Sequence, residues 1–357
     1  MRKTVIFFTI AILLCLSGCG LVNQGTPVSS HKDNAGSREV YSADGEAIDF
    51  GIYCGSEVAE ALVPGKPLSK YEGTIGVIVS SMRFPYGGGT KTMAEDTLET
   101  YFPNMEFIIG NGDGDPMVQS TIIDDYIAKG VDVLVIDPVE KEAMVPAFDR
   151  INEAGIPVVC VDRYVPGVPL KYSSVVKADD VKIGKKAGEY MAELLGGKGR
   201  VIEIQGAPAA SNTNDRHTGF LEGIEGTEIE IIASPFADFL QTRGLNEMED
   251  LLQRFPNDGD IDAIFSQSDV MTMGIIQALK AAGRDIPIVS IDAQESALEA
   301  VEAGEIAAVI AYPIPMPAGV FAGIKVMTGE TIPAYLELEC PVITKENVAE
   351  YKGHSGY

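Results

Sequence analysis

The chain is poor in histidine and lacks the short motifs of several enzyme classes. Only three histidines occur in 357 residues, and none belongs to an HExxH sequence. A zinc centre of the usual type takes its ligands from clustered His and Cys residues, so we expect no metal site. A G-x-S-x-G nucleophile elbow and a GxxxxGK(S/T) phosphate loop are also missing. We therefore expect no cofactor and no enzymatic activity of these types.

Basic residues are scarce relative to acidic ones. The chain has 27 Lys and Arg against 52 Asp and Glu, which gives a net charge of −25. A phosphate backbone would be repelled by such a surface, so we expect no nucleic-acid partner. Hydrophobic residues make up 46% of the chain, enough for packed cores. A chain of this length suits two domains of roughly 100–150 residues each.

Residues 1–19 have the pattern of an export signal and not of a folded segment. Arg2 and Lys3 precede the apolar run VIFFTIAILLCL, which is short for a membrane span, and LSGC (16–19) follows. This resembles a bacterial lipoprotein signal, in which Cys19 would carry the lipid after cleavage. An ordinary signal peptide or an anchor helix is the alternative. We expect an exported, lipid-anchored protein in the periplasm or on the outer face of the plasma membrane.

The cysteines beyond the signal number three, Cys54, Cys160 and Cys340. An odd number gives no complete disulfide framework. Cys160 falls in an apolar strand pattern, so we expect a small core residue there. A bridge between Cys54 and Cys340 stays open from the sequence.

The segment 20–72 is expected to be a tether and an N-terminal extension. Its first part, LVNQGTPVSSHKDNAGS, is rich in Ser, Gly, Asp and Asn, which is typical of a flexible linker. The stretch DFGIYCGSEVAEALVPG (49–65) is more apolar. That composition suits packing against the domain that follows.

After Gly73, short apolar runs alternate with helical patterns, and the series occurs twice. Asp115, Pro116 and Gly130 are typical of the N-cap, the first position and the stop of one helix. Such alternation predicts βαβ units and a parallel sheet covered on both faces. The predicted strands are 74–80, runs near 105, 132 and 156, 200–205, 229–234, 262–267, 286–291 and 307–312. The predicted helices are 90–101, 116–129, 140–153, 180–195, 213–224, 241–255, 270–282 and 293–303.

Polar and aromatic side chains follow many of the predicted strands. In VVCVDRY, Asp162 and Arg163 stand side by side directly after an apolar run. Open parallel sheets bind ligands outside the carboxyl ends of their strands. Carboxylates accept hydrogen bonds from hydroxyl groups, and guanidinium groups donate pairs of hydrogen bonds. Aromatic rings stack on the C–H faces of sugars, so this set favours a carbohydrate site. For the Asp162–Arg163 pair alone, a surface ion pair is the alternative. The strand-end set also includes Gly219, Phe220 and Gln267.

Five segments together resemble one known family. In chain order they are TIGVIVSSMRFPY, IPVVCVDR, VIEIQGAPAASNTNDRHTGF, ADFLQTRGLNEMEDLL and AIFSQSDVMTMGIIQAL. From about residue 73 to 345 the chain is similar to the periplasmic sugar-binding proteins of the ribose-binding type, the solute receptors of ABC importers. The order and the spacing of the segments both agree with that family.

This resemblance implies an α/β fold of two doubly wound parallel-sheet lobes joined by a three-crossing hinge, the type I periplasmic binding protein fold. It implies an N-terminal lobe at 73–177 plus 313–337, a C-terminal lobe at 178–312 plus 338–345, and a tail at 346–357. It also implies ligand-contact positions at Ser80, Phe84, Tyr86, Asp162, Arg163, Arg216, Phe239, Ser268, Asp292 and Tyr312.

The sequence departs from the family at several of these positions. Ser268 stands where the family usually has Asn, Tyr312 stands where ribose receptors have Gln, and Phe84 replaces Asn. Arg83 adds a charge to the first loop. We therefore expect a ligand other than plain ribose, either a larger or less hydroxylated sugar or a polyol.

The resemblance implies the extracytoplasmic substrate-binding component of an ABC sugar importer, and no enzyme. A monosaccharide or related polyol would bind between lobes that close by hinge motion, and the closed form would dock on the permease. We expect a monomer. The alternatives are a ligand sensor for a chemoreceptor or histidine kinase, or an exported carbohydrate-active enzyme with Asp162 and Asp292 as its carboxylates. A DNA-binding repressor can share this core, but the export signal and the negative charge argue against it.

Overall fold

A computed structural model describes residues 39–167, 172–208, 210–354 and 356–357. The expected signal, its Cys19 and the tether up to residue 38 lie outside these described residues. The strands are β1 (Glu39–Tyr41), β2 (Ala47–Asp49), β3 (Gly73–Val79), β4 (Met105–Asn111), β5 (Val133–Ile136), β6 (Val158–Val161), β7 (Ser174–Lys177), β8 (Lys198–Ile204), β9 (Glu228–Ala233), β10 (Ala263–Ser266), β11 (Ile288–Asp292), β12 (Ala308–Ala311), β13 (Tyr335–Glu337) and β14 (Val342–Thr344). The α-helices are α1 (Ser56–Leu62), α2 (Pro85–Tyr101), α3 (Pro116–Lys129), α4 (Val145–Glu153), α5 (Asp180–Leu194), α6 (Ser211–Gly223), α7 (Gln241–Arg254), α8 (Asp269–Ala282), α9 (Glu295–Ala303) and α10 (Ala318–Met327).

Twelve of the fourteen described strands form two six-stranded sheets, and β1 and β2 form a two-stranded antiparallel sheet. The first has the order β13-β7-β6-β5-β3-β4, and all of its neighbours run parallel. The second has the order β14-β12-β11-β10-β8-β9, with only β14 antiparallel to its neighbour. The first sheet with α2, α3, α4 and α10 is called the first lobe here, and the second sheet with α5 to α9 is called the second lobe. The predicted fold class of two parallel-sheet α/β lobes is confirmed.

The central strands are apolar along their whole length because helices cover both faces of the sheet. In β5 (VLVI) and β6 (VVCV) every residue is buried. The predicted helix 116–129 is confirmed with its signals: Asp115 accepts a hydrogen bond from the backbone N–H of Met117, and Gly130 ends the helix in the left-handed conformation at φ 70°.

Two helices begin five residues away from their predicted starts. Helix α2 begins at Pro85, five residues before the predicted start, because glycines 87–89 hide the helical periodicity. A Cβ on Gly87 would lie 1.8 Å from the Ser81 carbonyl oxygen, so only glycine allows this close approach. Helix α4 begins at Val145 and not at 140, with Pro146 in its first turn.

Helix α10 was missed by the pattern because it is buried on nearly all sides. Residues 318–325 are all buried, so the helix has no polar face to mark a period of 3.6 residues. It packs against β5, β6 and β7. Strands β7, β13 and β14 carry no recognisable pattern either, because β7 (SVVK) has only two apolar residues in a row and the other two strands have three residues each.

Three described segments carry the chain between the lobes. They lie between Lys177 of β7 and α5, between Ala311 of β12 and α10, and between Glu337 of β13 and β14. The side chain of Lys182 on α5 reaches Glu337 with an Nζ–Oε1 distance of 2.7 Å. The lobes therefore meet at one edge, and the carboxyl ends of both sheets face the space next to it.

The N-terminal extension is folded from residue 39 onward and contacts both lobes. In the first lobe, the ring of Phe50 lies 4.7 Å from the ring of Phe321 on α10, and Leu62 belongs to the same core. Tyr53 belongs to the core of the second lobe, and its carbonyl accepts a 2.9 Å hydrogen bond from the backbone N–H of Glu339. The expected packing of 49–65 against the following domain is confirmed.

The described cysteines are buried. Cys160 is fully buried in β6, as predicted for a small core residue. Cys340 is a free thiol, so no disulfide joins it to Cys54, and burial raises the pKa of the Cys340 thiol to about 12. Within the described part of the chain, the helices are too short or too polar to cross a lipid bilayer.

Candidate functional site

A cavity of about 740 Å³ lies between the two lobes, at the carboxyl ends of the strands. Side chains from both lobes line it, together with Tyr312, which follows β12. The structure brings all ten sequence-predicted site residues into this lining: Ser80, Phe84, Tyr86, Asp162, Arg163, Arg216, Phe239, Ser268, Asp292 and Tyr312.

Asp162 is the polar centre of the first lobe's share of the cavity. Its Oδ1 atom accepts hydrogen bonds from the hydroxyl of Tyr86, at 3.2 Å, and from the hydroxyl of Tyr312. Its Oδ2 atom lies 3.4 Å from Nε of Arg163, and Arg163 also donates to the Val139 carbonyl at 3.0 Å. The adjacent opposite charges therefore offset each other while both side chains face the cavity.

Arg216 is the matching group in the second lobe, and it is only 2% exposed. It donates from Nε to Oδ1 of Asp180 at 3.1 Å and from Nη1 to the Gln267 carbonyl at 2.8 Å. Its Nη1 atom lies 3.9 Å from Oδ1 of Asp292. A buried charge needs such partners, so the guanidinium is held in one orientation with one edge toward the cavity.

Asp292 ends β11 and adds a second carboxylate from the second lobe. Burial raises its pKa to about 6, and the neighbouring Arg216 guanidinium opposes this shift. Oδ2 of Asp292 accepts a 3.2 Å hydrogen bond from the backbone N–H of Asp269. Ser268 caps α8 by accepting from the backbone N–H of Val270 at 3.3 Å. The cap explains why a short hydroxyl side chain occupies this strand end.

Aromatic rings form the apolar part of the lining. Phe84 is 44% exposed, and the rings of Tyr86 and Tyr312 have their centroids 5.5 Å apart. Phe239 lies over the backbone of Gly206, where a Cβ would be 2.0 Å from the phenyl ring. Ser80 precedes this aromatic stretch and donates its backbone N–H to Oδ2 of Asp137 at 3.3 Å.

Strained backbone concentrates around the cavity. Among the described residues, six that are not glycine have a positive φ, and four of them line the cavity. These are Asp162 at 62°, Asp238 at 54°, Phe239 at 57° and Asp292 at 126°. Residues other than glycine rarely adopt a positive φ, and residues with such strained backbone cluster at functional sites. The strain supports the cavity as the functional site independently of its chemistry.

A sequence model described as "Periplasmic binding protein domain" matches residues 75–322. The chain belongs to the periplasmic binding protein family. It is 33% identical over 258 residues to the ribose import binding protein of Bacillus subtilis (strain 168), an alignment that covers 72% of this chain and 82% of that one. It is 29% identical to the xylitol-binding protein of Mycolicibacterium smegmatis over 263 residues, with coverage of 72% and 74%. A solute binding protein of Bacillus halodurans solved with myo-inositol superposes with a TM-score of 0.72 at 25% identity, over 82% of this chain and all of that one.

Members of the periplasmic binding protein family are substrate-binding proteins, and this chain is one of the ribose type.

Three strand-end residues pack inside the second lobe instead of contacting the cavity. Gly219, Phe220 and Gln267 belong to the strand-end set of the sequence but not to the predicted ligand contacts, and they do not line the cavity. Gly219 packs against the backbone of α5, and Phe220 stacks on Phe265 with a centroid distance of 4.3 Å. The Gln267 side chain bonds to Glu203 at 2.9 Å inside the second lobe.

Sequence reasoning misses several residues in and around the cavity, among them the lining residue Asn212. Asp137, which follows β5, is not in the lining, but its Oδ2 atom accepts a hydrogen bond from the backbone N–H of the lining residue Ser80. Burial raises the pKa of Asp137 to about 7, and the Arg163 guanidinium opposes the shift. Its position directly after an apolar strand was a usable signal. Tyr357 lines the cavity as well, but it follows no strand and carries no pattern that points to the site.

Proposed function

We propose that the chain is the extracytoplasmic substrate-binding component of an ABC importer and that it binds a monosaccharide or a related polyol in the cavity between the lobes. The observation that carries the proposal is the pairing of Asp162 and Arg163 from one lobe with Arg216 and Asp292 from the other around one cavity. A ligand that bonds to both pairs at once favours the closed arrangement of the lobes over an open one.

The chemistry of the lining fits a polyhydroxyl compound. Carboxylates accept hydrogen bonds from hydroxyl groups, and guanidinium groups donate hydrogen bonds to hydroxyl oxygens. Hydrogen bonds to charged groups contribute on the order of 1.5–3 kcal/mol each. Phe84, Phe239 and Tyr86 supply rings for the C–H faces. We assign ligand contact to the ten residues that line the cavity and were predicted from the sequence.

The departures from the ribose pattern support a ligand other than plain ribose. The hydroxyl of Tyr312 already donates to Asp162, and Ser268 presents a shorter group than the usual Asn. Relatives named for ribose and xylitol, and a similar structure holding myo-inositol, cover both sugars and polyols. Arg83 does not contribute to this choice, because its side chain is exposed and pairs with Asp113 at 2.8 Å, outside the lining.

A ligand screen on the purified full chain tests the proposal. The panel holds pentoses, hexoses, deoxysugars, polyols and nucleosides, and the readout is the melting temperature. A ligand at a hundred times its Kd adds about 2.7 kcal/mol to the free energy of unfolding, which a melt detects. Asp162→Asn should weaken the hit by about tenfold or more. Asp113→Asn is the matched control, because Asp113 is an exposed carboxylate outside the cavity. A panel without a hit, or equal losses in both variants, would contradict the proposal.

The finer part of the proposal concerns location and assembly. We propose that the chain acts as a monomer, anchored at the membrane through a lipid on Cys19. In a bacterial host grown with a labelled fatty acid, the chain should take up the label and Cys19→Ser should not, because Cys19 would carry the acyl chains that supply the membrane affinity. A Cys15→Ser variant is the control. Equal label in the unchanged chain and in Cys19→Ser would refute the lipid on Cys19.

A further inference from the structure

The end of the chain forms a strap, defined here as residues 351–357 without residue 355, which lies outside the described residues. The strap begins on the second lobe. Lys352 bonds to Glu302 of α9 at 2.7 Å, and the backbone N–H of Gly353 donates to Glu295 of the same helix. The ring of Tyr351 stacks on Tyr53 of the N-terminal extension, with centroids 6.0 Å apart.

The strap then reaches the first lobe. A Cβ placed on Gly89 of α2 would lie 2.4 Å from the Gly356 carbonyl oxygen and 3.0 Å from Cβ of Tyr357. A Cβ on Gly356 would lie 2.6 Å from the methyl carbon of Met93. Glycine inside a helix costs about 1 kcal/mol relative to alanine. Gly89 is therefore a costly residue whose small size makes room for the strap.

Tyr357 enters the ligand cavity from this strap and contacts three parts of the site. Its hydroxyl donates to the Tyr312 carbonyl at 2.9 Å and lies 3.4 Å from the Asp292 carbonyl oxygen. Its ring meets the ring of Tyr86 edge-on, with a centroid distance of 5.6 Å and an angle of 90°. Burial raises the pKa of Tyr357 well above its ordinary value, so the hydroxyl keeps its proton and remains a donor.

The strap also stands between two cavities. Tyr357 lines the ligand cavity of about 740 Å³. The preceding residue, Gly356, lines a second cavity of about 310 Å³ between the N-terminal extension, α2 and the second crossing. Adjacent residues thus face different cavities, and the Tyr357 side chain forms part of the wall that ends the ligand site on this side.

We propose that Tyr357 is a specificity-determining residue of the ligand site: the strap holds its ring against Tyr86 and Tyr312, where it limits the size of the ligand and ties α2 to the second lobe. This inference rests on the proposed sugar-binding function. Without the phenol ring the site extends toward the second cavity, so larger ligands gain affinity relative to smaller ones.

Four variants of the full chain separate the effects of the Tyr357 ring, the Tyr357 hydroxyl and the contact of the strap with Gly89. Tyr357→Ala removes the ring, and Tyr357→Phe removes only the hydroxyl. Gly89→Ala displaces the strap, and Gly88→Ala is its matched control, because a Cβ at Gly88 meets nothing within 4 Å. The probes in titration calorimetry are xylitol and D-ribose as small ligands, D-allose and myo-inositol as intermediate ones, and maltose as the large one. The readout is the ratio of Kd values between large and small probes, which a general loss of stability leaves unchanged.

Tyr357→Ala and Gly89→Ala should shift that ratio toward the larger probes by about tenfold, equal to about 1.4 kcal/mol. Tyr357→Phe and Gly88→Ala should keep the ratio of the unchanged chain. Amide hydrogen exchange at residues 86–93 should also be faster in the first pair of variants. Unchanged ratios in Tyr357→Ala and Gly89→Ala would overturn the role in specificity.

The exchange measurement needs no ligand, so it separates the two hypotheses. If the full chain binds none of the probes, the proposed sugar-binding function fails, and the limit on ligand size fails with it. Exchange rates at 86–93 in Tyr357→Ala equal to those of the unchanged chain would then overturn the tie between α2 and the second lobe as well. Faster exchange at 86–93 in Tyr357→Ala than in the unchanged chain would support the tie between α2 and the second lobe even without a ligand.

Discussion

The guanidinium carbon of Arg216 lies 4.6 Å from the centroid of the Tyr312 ring, so the cation faces the ring of the residue that follows β12. The ring covers one face of the cation, while Asp180 and the Gln267 carbonyl bind its edges. A charge that is enclosed in this way is a structural group as well as a candidate ligand donor.

Arg216→Ala should lower the free energy of unfolding by about 3–5 kcal/mol, because it removes the buried cation that lies against the carboxylates of Asp180 and Asp292. Arg200→Ala removes an arginine whose ion pairs are half-exposed, and it should cost at most about 1 kcal/mol. Urea denaturation of both variants measures the difference. Equal losses would show that the Arg216 pairs contribute no more than a surface pair.

Phe84→Ala should weaken ligand binding by about 1 kcal/mol, roughly fivefold, with little effect on stability, because this exposed ring contributes to the cavity and little to the core. The control is Phe236→Ala, which removes a similarly exposed phenyl ring of the second lobe outside the lining. Calorimetric titration with the best ligand of the screen measures both. A Phe84→Ala variant with unchanged affinity would remove Phe84 from the site.

Ligand affinity should fall as the pH drops below about 6. Asp292 has a pKa of about 6 in the ligand-free chain, and it must be ionised to accept hydrogen bonds from two ligand hydroxyl groups. Burial raises this pKa and Arg216 opposes the shift, while Asp180 and Asp269 lie nearby as further buried acids. The free energy of unfolding depends on pH in the opposite direction from the ligand affinity. The folded state binds more protons than the unfolded one between about pH 4 and 6, so this group's contribution to stability is lost as the pH rises through that window.

Titrations between pH 5 and 8 would measure this dependence, with Asp292→Asn as the comparison. The amide cannot ionise, so the Asp292→Asn variant should bind more weakly at pH 8 and show a flatter profile below about pH 6. Parallel profiles for the unchanged chain and the variant would assign the pH dependence to another group.

The glycine run at the start of α2 should give opposite stability effects at neighbouring positions. Gly88→Ala should raise the free energy of unfolding by about 0.5–1 kcal/mol, because alanine favours the helix and its Cβ meets nothing within 4 Å. Gly87→Ala should lower it, because its Cβ would lie 1.8 Å from the Ser81 carbonyl oxygen. Thermal and urea unfolding measure both, and a stabilising Gly87→Ala would contradict the close approach.

Most of the fold could be predicted from local sequence features. The helix between Asp115 and Gly130 carries its own cap and stop signals, and buried parallel strands such as β6 read as unbroken apolar runs. Helix α10 could not be predicted, because a helix buried on all sides has no amphipathic period. The fold of residues 39–48 could not be predicted either, because the few apolar residues there, such as Ile48, find their core only after folding.

The sequence by itself determined the alternation of strands and helices and the chemistry at the strand ends, because both depend on neighbouring residues in the chain. Tertiary structure alone decided which strand ends meet. It brings Tyr312 to Asp162 across 150 positions of sequence, and it turns Gly219 into a helix contact instead of a site residue. It also places Tyr357 in the cavity, because that residue's location depends on how the strap crosses Gly89, a contact between distant segments that no local pattern records.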